Sequence, residues 1–98
     1  MVTWLKKKRK QNQTMKFQLN KKEECLTILM EECGEVIQEA SKIMRFGNDV
    51  SKLTKELGDL QYMINLTANH LGIDSVSIGV HANEKREKLK KYSNLIDK

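Results

Sequence analysis

Apolar side chains recur at helical spacing along most of this chain. Leu26, Leu29, Cys33, Val36, Ile37, Ala40, Ile43 and Met44 follow one another at intervals that suit one side of a helix. Asn20 with Glu23 three positions on has the form of an N-cap and its capping partner, and Gly47 supplies a C-terminal stop. The spacing therefore predicts a first helix over about residues 21–46. Asn48 and Asp49 can cap a second, which carries Leu53, Leu57, Leu60, Ile64 and Leu71 and ends at Gly72. Asp74 or Ser75 can open a third that runs to about Tyr92. Its stripe is Ile78, Ala82, Leu89 and Tyr92, with Lys85 at the stripe position between them. The loops 47–49 and 72–74 are short, which favours antiparallel neighbours. The fold class expected is all-α, an antiparallel helical bundle of three main helices in one compact unit.

Composition sharpens that picture. The 98 residues include no proline, in keeping with an all-helical chain, and leave room for one domain with a small core. Three helices of this length carry more apolar surface than they can cover alone, so association into a homodimer or homotetramer is expected to complete the bundle. No apolar run reaches the roughly 18 residues of a membrane span, and no secretory signal is recognisable. Cys25 and Cys33 are eight positions apart on the first predicted helix, about 12 Å along its axis, too far to bridge one another. They are expected to be two buried thiols of a cytoplasmic protein.

The net charge of +5 is unevenly spread. Residues 1–16 hold six basic side chains and no acid, so the remaining 82 sum to −1. Residues 1–16 thus read as a basic N-terminal extension, a candidate for disorder, ahead of a domain over 17–98. Met15 resembles a domain start, which makes residues 1–14 a dispensable addition. A basic arm can touch nucleic acid, but with few aromatics beside it a solvated tail is the expectation, and nucleic acid is not an expected partner.

The chemistry lies in two acidic motifs, Glu32-x-x-Glu35 and Glu56-x-x-Asp59. Residues three apart share a helix face, so each motif aims two carboxylates in nearly one direction, and antiparallel packing brings four together. Like charges so close repel and raise one another's pKa values. Hard cations such as Mg²⁺ or Mn²⁺ prefer oxygen ligands of this kind. A solvated acidic face is the plainer explanation, and three details oppose it. Glu31, Glu32, Glu35 and Glu39 share one side of the helix, although like charges at i, i+4 cost about 0.2–0.5 kcal/mol per pair. Gly34 and Gly58 precede Glu35 and Asp59, although a mid-helix glycine costs about 1 kcal/mol relative to alanine, which suggests close approach of a helix or ligand. Finally, the second acidic pair lies where a hairpin can bring it into register with the first. A di-iron carboxylate bundle would need Glu-x-x-His pairs, which neither His70 nor His81 completes.

Glu31-Glu32-Cys33-Gly34-Glu35, followed after 20 residues by Glu56-Leu57-Gly58-Asp59, resembles the EExxE…ExxD signature of the MazG-like nucleotide pyrophosphohydrolases, in the all-α NTP pyrophosphatase superfamily. The flanks Leu29–Ala40 and Leu53–Ile64, and Leu71-Gly72-Ile73-Asp74, are similar too, so the resemblance covers roughly residues 20–92. It implies a helical bundle, often oligomeric, that hydrolyses a nucleoside triphosphate between its α- and β-phosphates to the monophosphate and pyrophosphate. It further implies that Glu32, Glu35, Glu56 and Asp59 ligate Mg²⁺, with Mn²⁺ as a substitute. Glu31 would be an outer group or orient the attacking water, so that Glu31 and Glu35 are the catalytic candidates.

Family members also hold phosphates with side chains of the helix after the second motif. By position these are Lys85, then Asn83 and Lys88. The resemblance weakens upstream, where members often carry an earlier helix with base-contacting aromatics. Here only Trp4 and Phe17 precede the motif, so the arm or a neighbouring subunit would supply that wall. Two alternatives stand beside this reading: a phosphoribosyl-ATP pyrophosphohydrolase-like enzyme, and a non-enzymatic helical interaction module with a nucleic-acid-binding arm.

Overall fold

The computed structural model describes residues 19–47 and 49–97. Three helices occupy them: α1 (Lys21–Phe46), α2 (Ser51–Leu71) and α3 (Ser75–Tyr92). The basic extension proposed for 1–16 lies outside the described residues, as do Trp4, Phe17 and the candidate cap Asn48.

Most helix ends are built as the sequence indicates. Asn20 Oδ1 accepts from the Glu23 amide at 2.8 Å, while the Asn20 amide donates to Glu23 Oε1 at 3.1 Å. This closed capping box satisfies two donors that a helix start otherwise leaves orphaned. Gly47 takes the left-handed conformation (φ 64°) and its amide donates to the Ile43 carbonyl at 2.7 Å. Gly72 repeats the device at φ 69°, with the Ile73 amide reaching the Ala68 carbonyl at 2.8 Å. The N-cap of α2 is Val50, which makes no side-chain cap hydrogen bond, so the expected cap from Asn48 or Asp49 is displaced: Asp49, one position earlier, accepts from the Ser51 amide at 2.9 Å. Asp74 caps α3 by accepting from the Val76 amide at 3.1 Å.

Helices α1 and α2 form the one extensive helix–helix contact among the described residues. Their seam runs along Cys25, Ile28, Leu29, Glu32, Val36 and Ile43 of α1, and along Leu53, Glu56, Leu60, Met63 and Thr67 of α2. Among the described residues only Cys25, Met63 and Ala68 are buried hydrophobics, and the deepest side chain of all is a glutamate, Glu32.

Five expectations need correction. The stripe assigned to α2 is rotated: Leu57 and Ile64 are exposed, and Glu56, Met63 and Thr67 take the inward positions. Cys33 is exposed, so only one of the two free thiols is buried. The glycines are not sites of close helix approach within the chain, because a Cβ at Gly34 or Gly58 would meet nothing within 4 Å. The unit is also not compact, since α3 buries none of its residues. The described residues measure 55 × 37 × 17 Å with a radius of gyration of 16.7 Å, against about 12 Å for a compact chain of their number. The third helix lacks a continuous apolar face: Ala82 and Lys85 are exposed, and Tyr92 lies mostly in solvent.

Candidate metal centre

Glu32 sits on the face of α1 that meets α2, between Leu29 and Val36 in the seam. Glu56 and Asp59 come from the first half of α2, one turn apart, and face it. Each of the three offers a carboxylate oxygen, and these oxygens all lie within 4.8 Å of one another. The 26-residue α1 and the 21-residue α2 supply a rigid frame for them, because their opposed seams lock each backbone in place.

Glu32 is only 2% exposed, and its Oε2 has no hydrogen-bond partner. An unpaired buried carboxylate is costly. Burial pushes its pKa above the ordinary 4.5, and the charges of Asp59, Glu56 and, more weakly, Glu35 push it further the same way. Lys55 is a partial counterweight. Its Nζ lies 3.0 Å from Asp59 Oδ2 and 3.4 Å from Glu56 Oε1, and the hydrogen bond to Asp59 holds the ammonium protonated more firmly than usual.

This donor set fits a hard divalent cation. Oxygen ligands stand about 2.0–2.6 Å from Mg²⁺ or Ca²⁺, so two oxygens of one coordination shell are at most roughly 4–5 Å apart, a limit that the three oxygens here, all within 4.8 Å of one another, meet. The orphaned Glu32 oxygen is the atom that such an ion would satisfy.

The sequence candidates fare differently. Glu32, Glu56 and Asp59 come together. Glu35 stays outside the tight trio, one turn further along α1, where it lines an open groove of about 380 Å³ with Thr27, Met30, Glu31, Gly34 and Gln38. Glu39 is drawn aside by Lys42, 3.2 Å away. Asn83, Lys85 and Lys88 lie exposed on α3 and do not join the cluster. The sequence reading overlooked Lys55, although a basic residue four positions before Asp59 is a visible i, i+4 pair.

An antiparallel helical hairpin that buries one carboxylate against two others frames a candidate metal centre made of carboxylates alone. The model of the MazG nucleotide pyrophosphohydrolase domain matches residues 20–93, and the chain belongs to that family. It is accordingly a hydrolase of the nucleotide pyrophosphohydrolase type, a family generally dependent on metal. No curated protein and no solved structure gives a significant match. Among the described residues no helix is long and apolar enough to cross a membrane.

Proposed function

We propose that the chain is a Mg²⁺-dependent nucleoside triphosphate pyrophosphohydrolase that converts a (d)NTP to the (d)NMP and pyrophosphate, with Mn²⁺ as an alternative ion. The observation that carries this is the buried Glu32 carboxylate, whose Oε2 has no hydrogen-bond partner, facing Glu56 and Asp59. Glu32, Glu56 and Asp59 hold the ion, and Glu35 joins them by a rotation of its side chain from the groove. A bound divalent ion offsets phosphate charge and makes water acidic enough to serve as a nucleophile near neutral pH.

The chain's own residues do the rest. Glu31 and Glu35 flank Glu32 in sequence and line one groove of α1; in this reading one of them accepts the proton of the attacking water and the other orients it. Lys85, Asn83 and Lys88 hold phosphate oxygens from α3. The exposed apolar side chains Met30, Ile37, Met44 and Tyr62 support assembly as a homodimer or homotetramer. Residues 17–98 form the catalytic domain, working in the cytoplasm, and 1–16 an appendage to it.

The test is a panel of canonical (d)NTPs assayed with Mg²⁺, with and without EDTA, for pyrophosphate and for the monophosphate. Metal-dependent release of both supports the reading and ranks the substrates. Orthophosphate in place of pyrophosphate places the cleavage elsewhere and refutes it.

A further inference from the structure

We infer that Lys55 is a tethered counter-cation of the carboxylate cluster, one that competes with the divalent ion and thereby lowers the affinity of the empty enzyme for metal. The inference rests on reading the cluster as a metal site. It stands on three observations.

The first is position. Lys55 Nζ bridges Asp59 Oδ2 at 3.0 Å and Glu56 Oε1 at 3.4 Å, two of the three carboxylates that converge with Glu32. An ammonium there supplies in part what a divalent ion would supply in full: positive charge between carboxylates that otherwise repel.

The second is the difference in freedom between the partners. The Lys55 side chain is 61% exposed, whereas Glu56 is 13% exposed. Glu56 is held in the seam, Asp59 is 35% exposed, and the lysine is the freest of the three. A long, solvated side chain can leave with little penalty, so the bridge is displaceable while the ligand set stays in place.

The third is what the ammonium leaves undone. Glu32 Oε2 remains buried and unpartnered although Lys55 is so close. The bridge neutralises the α2 side of the cluster and does not reach the α1 side. A divalent ion that serves all three carboxylates therefore displaces the ammonium by completing what it leaves open. Once displaced, the ammonium stays on the exposed side of the site, as a donor for the oxygens of an incoming polyphosphate.

The experiment is Mn²⁺ binding to the full chain by isothermal titration calorimetry, without nucleotide, comparing wild type with Lys55→Met, Lys55→Arg, Lys52→Met and Glu32→Gln. Lys52 is the charge control. It is also exposed on α2, but its charge acts on Asp49 at the hairpin turn. Removing Lys55 should tighten Mn²⁺ binding about two- to fivefold, the range set by exposed ion pairs of this kind. Lys52→Met should change it less than about twofold, and Lys55→Arg should stay near wild type, because its guanidinium keeps the bridge. If Lys55→Met binds Mn²⁺ no more tightly than Lys52→Met, the inference is overturned and only net charge matters. If wild type and Glu32→Gln bind Mn²⁺ alike, the metal-site reading itself has failed, which is a different result.

Discussion

Replacing Glu32 by glutamine should make the metal-free protein more stable while it removes turnover. Glu32 is almost the same shape as glutamine, so the seam between α1 and α2 keeps its packing, and the change is electrostatic. The oxygens of Glu32, Glu56 and Asp59 lie within 4.8 Å of one another. At that distance two unit charges repel by about 3.5 kcal/mol for an effective dielectric of roughly 20, and by about 0.9 kcal/mol in bulk water. Lys55 neutralises part of the charge on both α2 acids, and Asp59 is 35% exposed, so the lower half of that range applies. The amide also donates where the carboxylate did not, giving the orphaned position a hydrogen bond to a charged neighbour. A net gain of about 1–2 kcal/mol follows, which for a domain of this size is a rise in Tm of roughly 5–15 °C. The assay is thermal unfolding followed by circular dichroism in EDTA, then again with Mg²⁺. Wild type should be raised by the ion and the variant should not. A variant that melts below wild type in EDTA, or that keeps the wild-type response to Mg²⁺, would refute the reasoning.

Other substitutions and conditions test separate parts of the structure. Stability should also depend on pH through Glu32, whose pKa is raised by burial and by Asp59 and Glu56. The folded protein then holds that proton more tightly than the unfolded chain, so metal-free stability falls as pH rises from about 4.5 through the raised value and is flat above it. The wild-type minus Glu32→Gln difference in Tm across that window isolates the group, and a difference that does not vary with pH would remove it from the account. Asn20→Ala breaks both arms of the capping box and should cost about 1 kcal/mol, read as a lower urea midpoint with unchanged slope. Gly58→Ala should stabilise by roughly 0.5–1 kcal/mol, since alanine is the better helix former and nothing lies within 4 Å of the added carbon; destabilisation would mean that a second copy occupies that space. Ile37→Asp on the exposed face of α1 should shift the protein toward monomer by light scattering with its helix content intact.

Much of the fold was legible because helix ends have local chemistry. Asn20 with Glu23, Gly47, Gly72 and Asp74 declare themselves within four residues of the hydrogen bonds they make, and the three helices fall where those residues put them. The faces were harder to read. Leu57 and Ile64 are apolar and correctly spaced, but the seam runs through Glu56 and Met63 instead, because Glu56 must face Glu32. A rule that assigns apolar residues to the interior cannot find a seam whose central positions are carboxylates. For the same reason Glu35 and Glu32 look equivalent in the motif, yet only Glu32 lies on the line of contact with α2. Lys55 was missed because lysine next to two acids ordinarily marks a solvated face, and its importance depends on what Glu56 and Asp59 meet across the hairpin.

The same seam links stability to function. A helical hairpin that filled these positions with leucine would bury more apolar area, at roughly 25 cal/mol per Å², and would hold no ion. Here the deepest side chain is a charged one with an unsatisfied oxygen, while Ile37, Met44 and Tyr62 remain in solvent. Both features weaken the isolated hairpin, and in the proposed function both would be relieved by binding: the first by a cation between α1 and α2, the second by apolar contact with a second copy. Ligands that bind only the folded form stabilise it in proportion to the logarithm of their saturation. Metal and self-association should therefore raise Tm together in this protein. The hairpin with its carboxylate cluster intact should be least stable as a metal-free monomer.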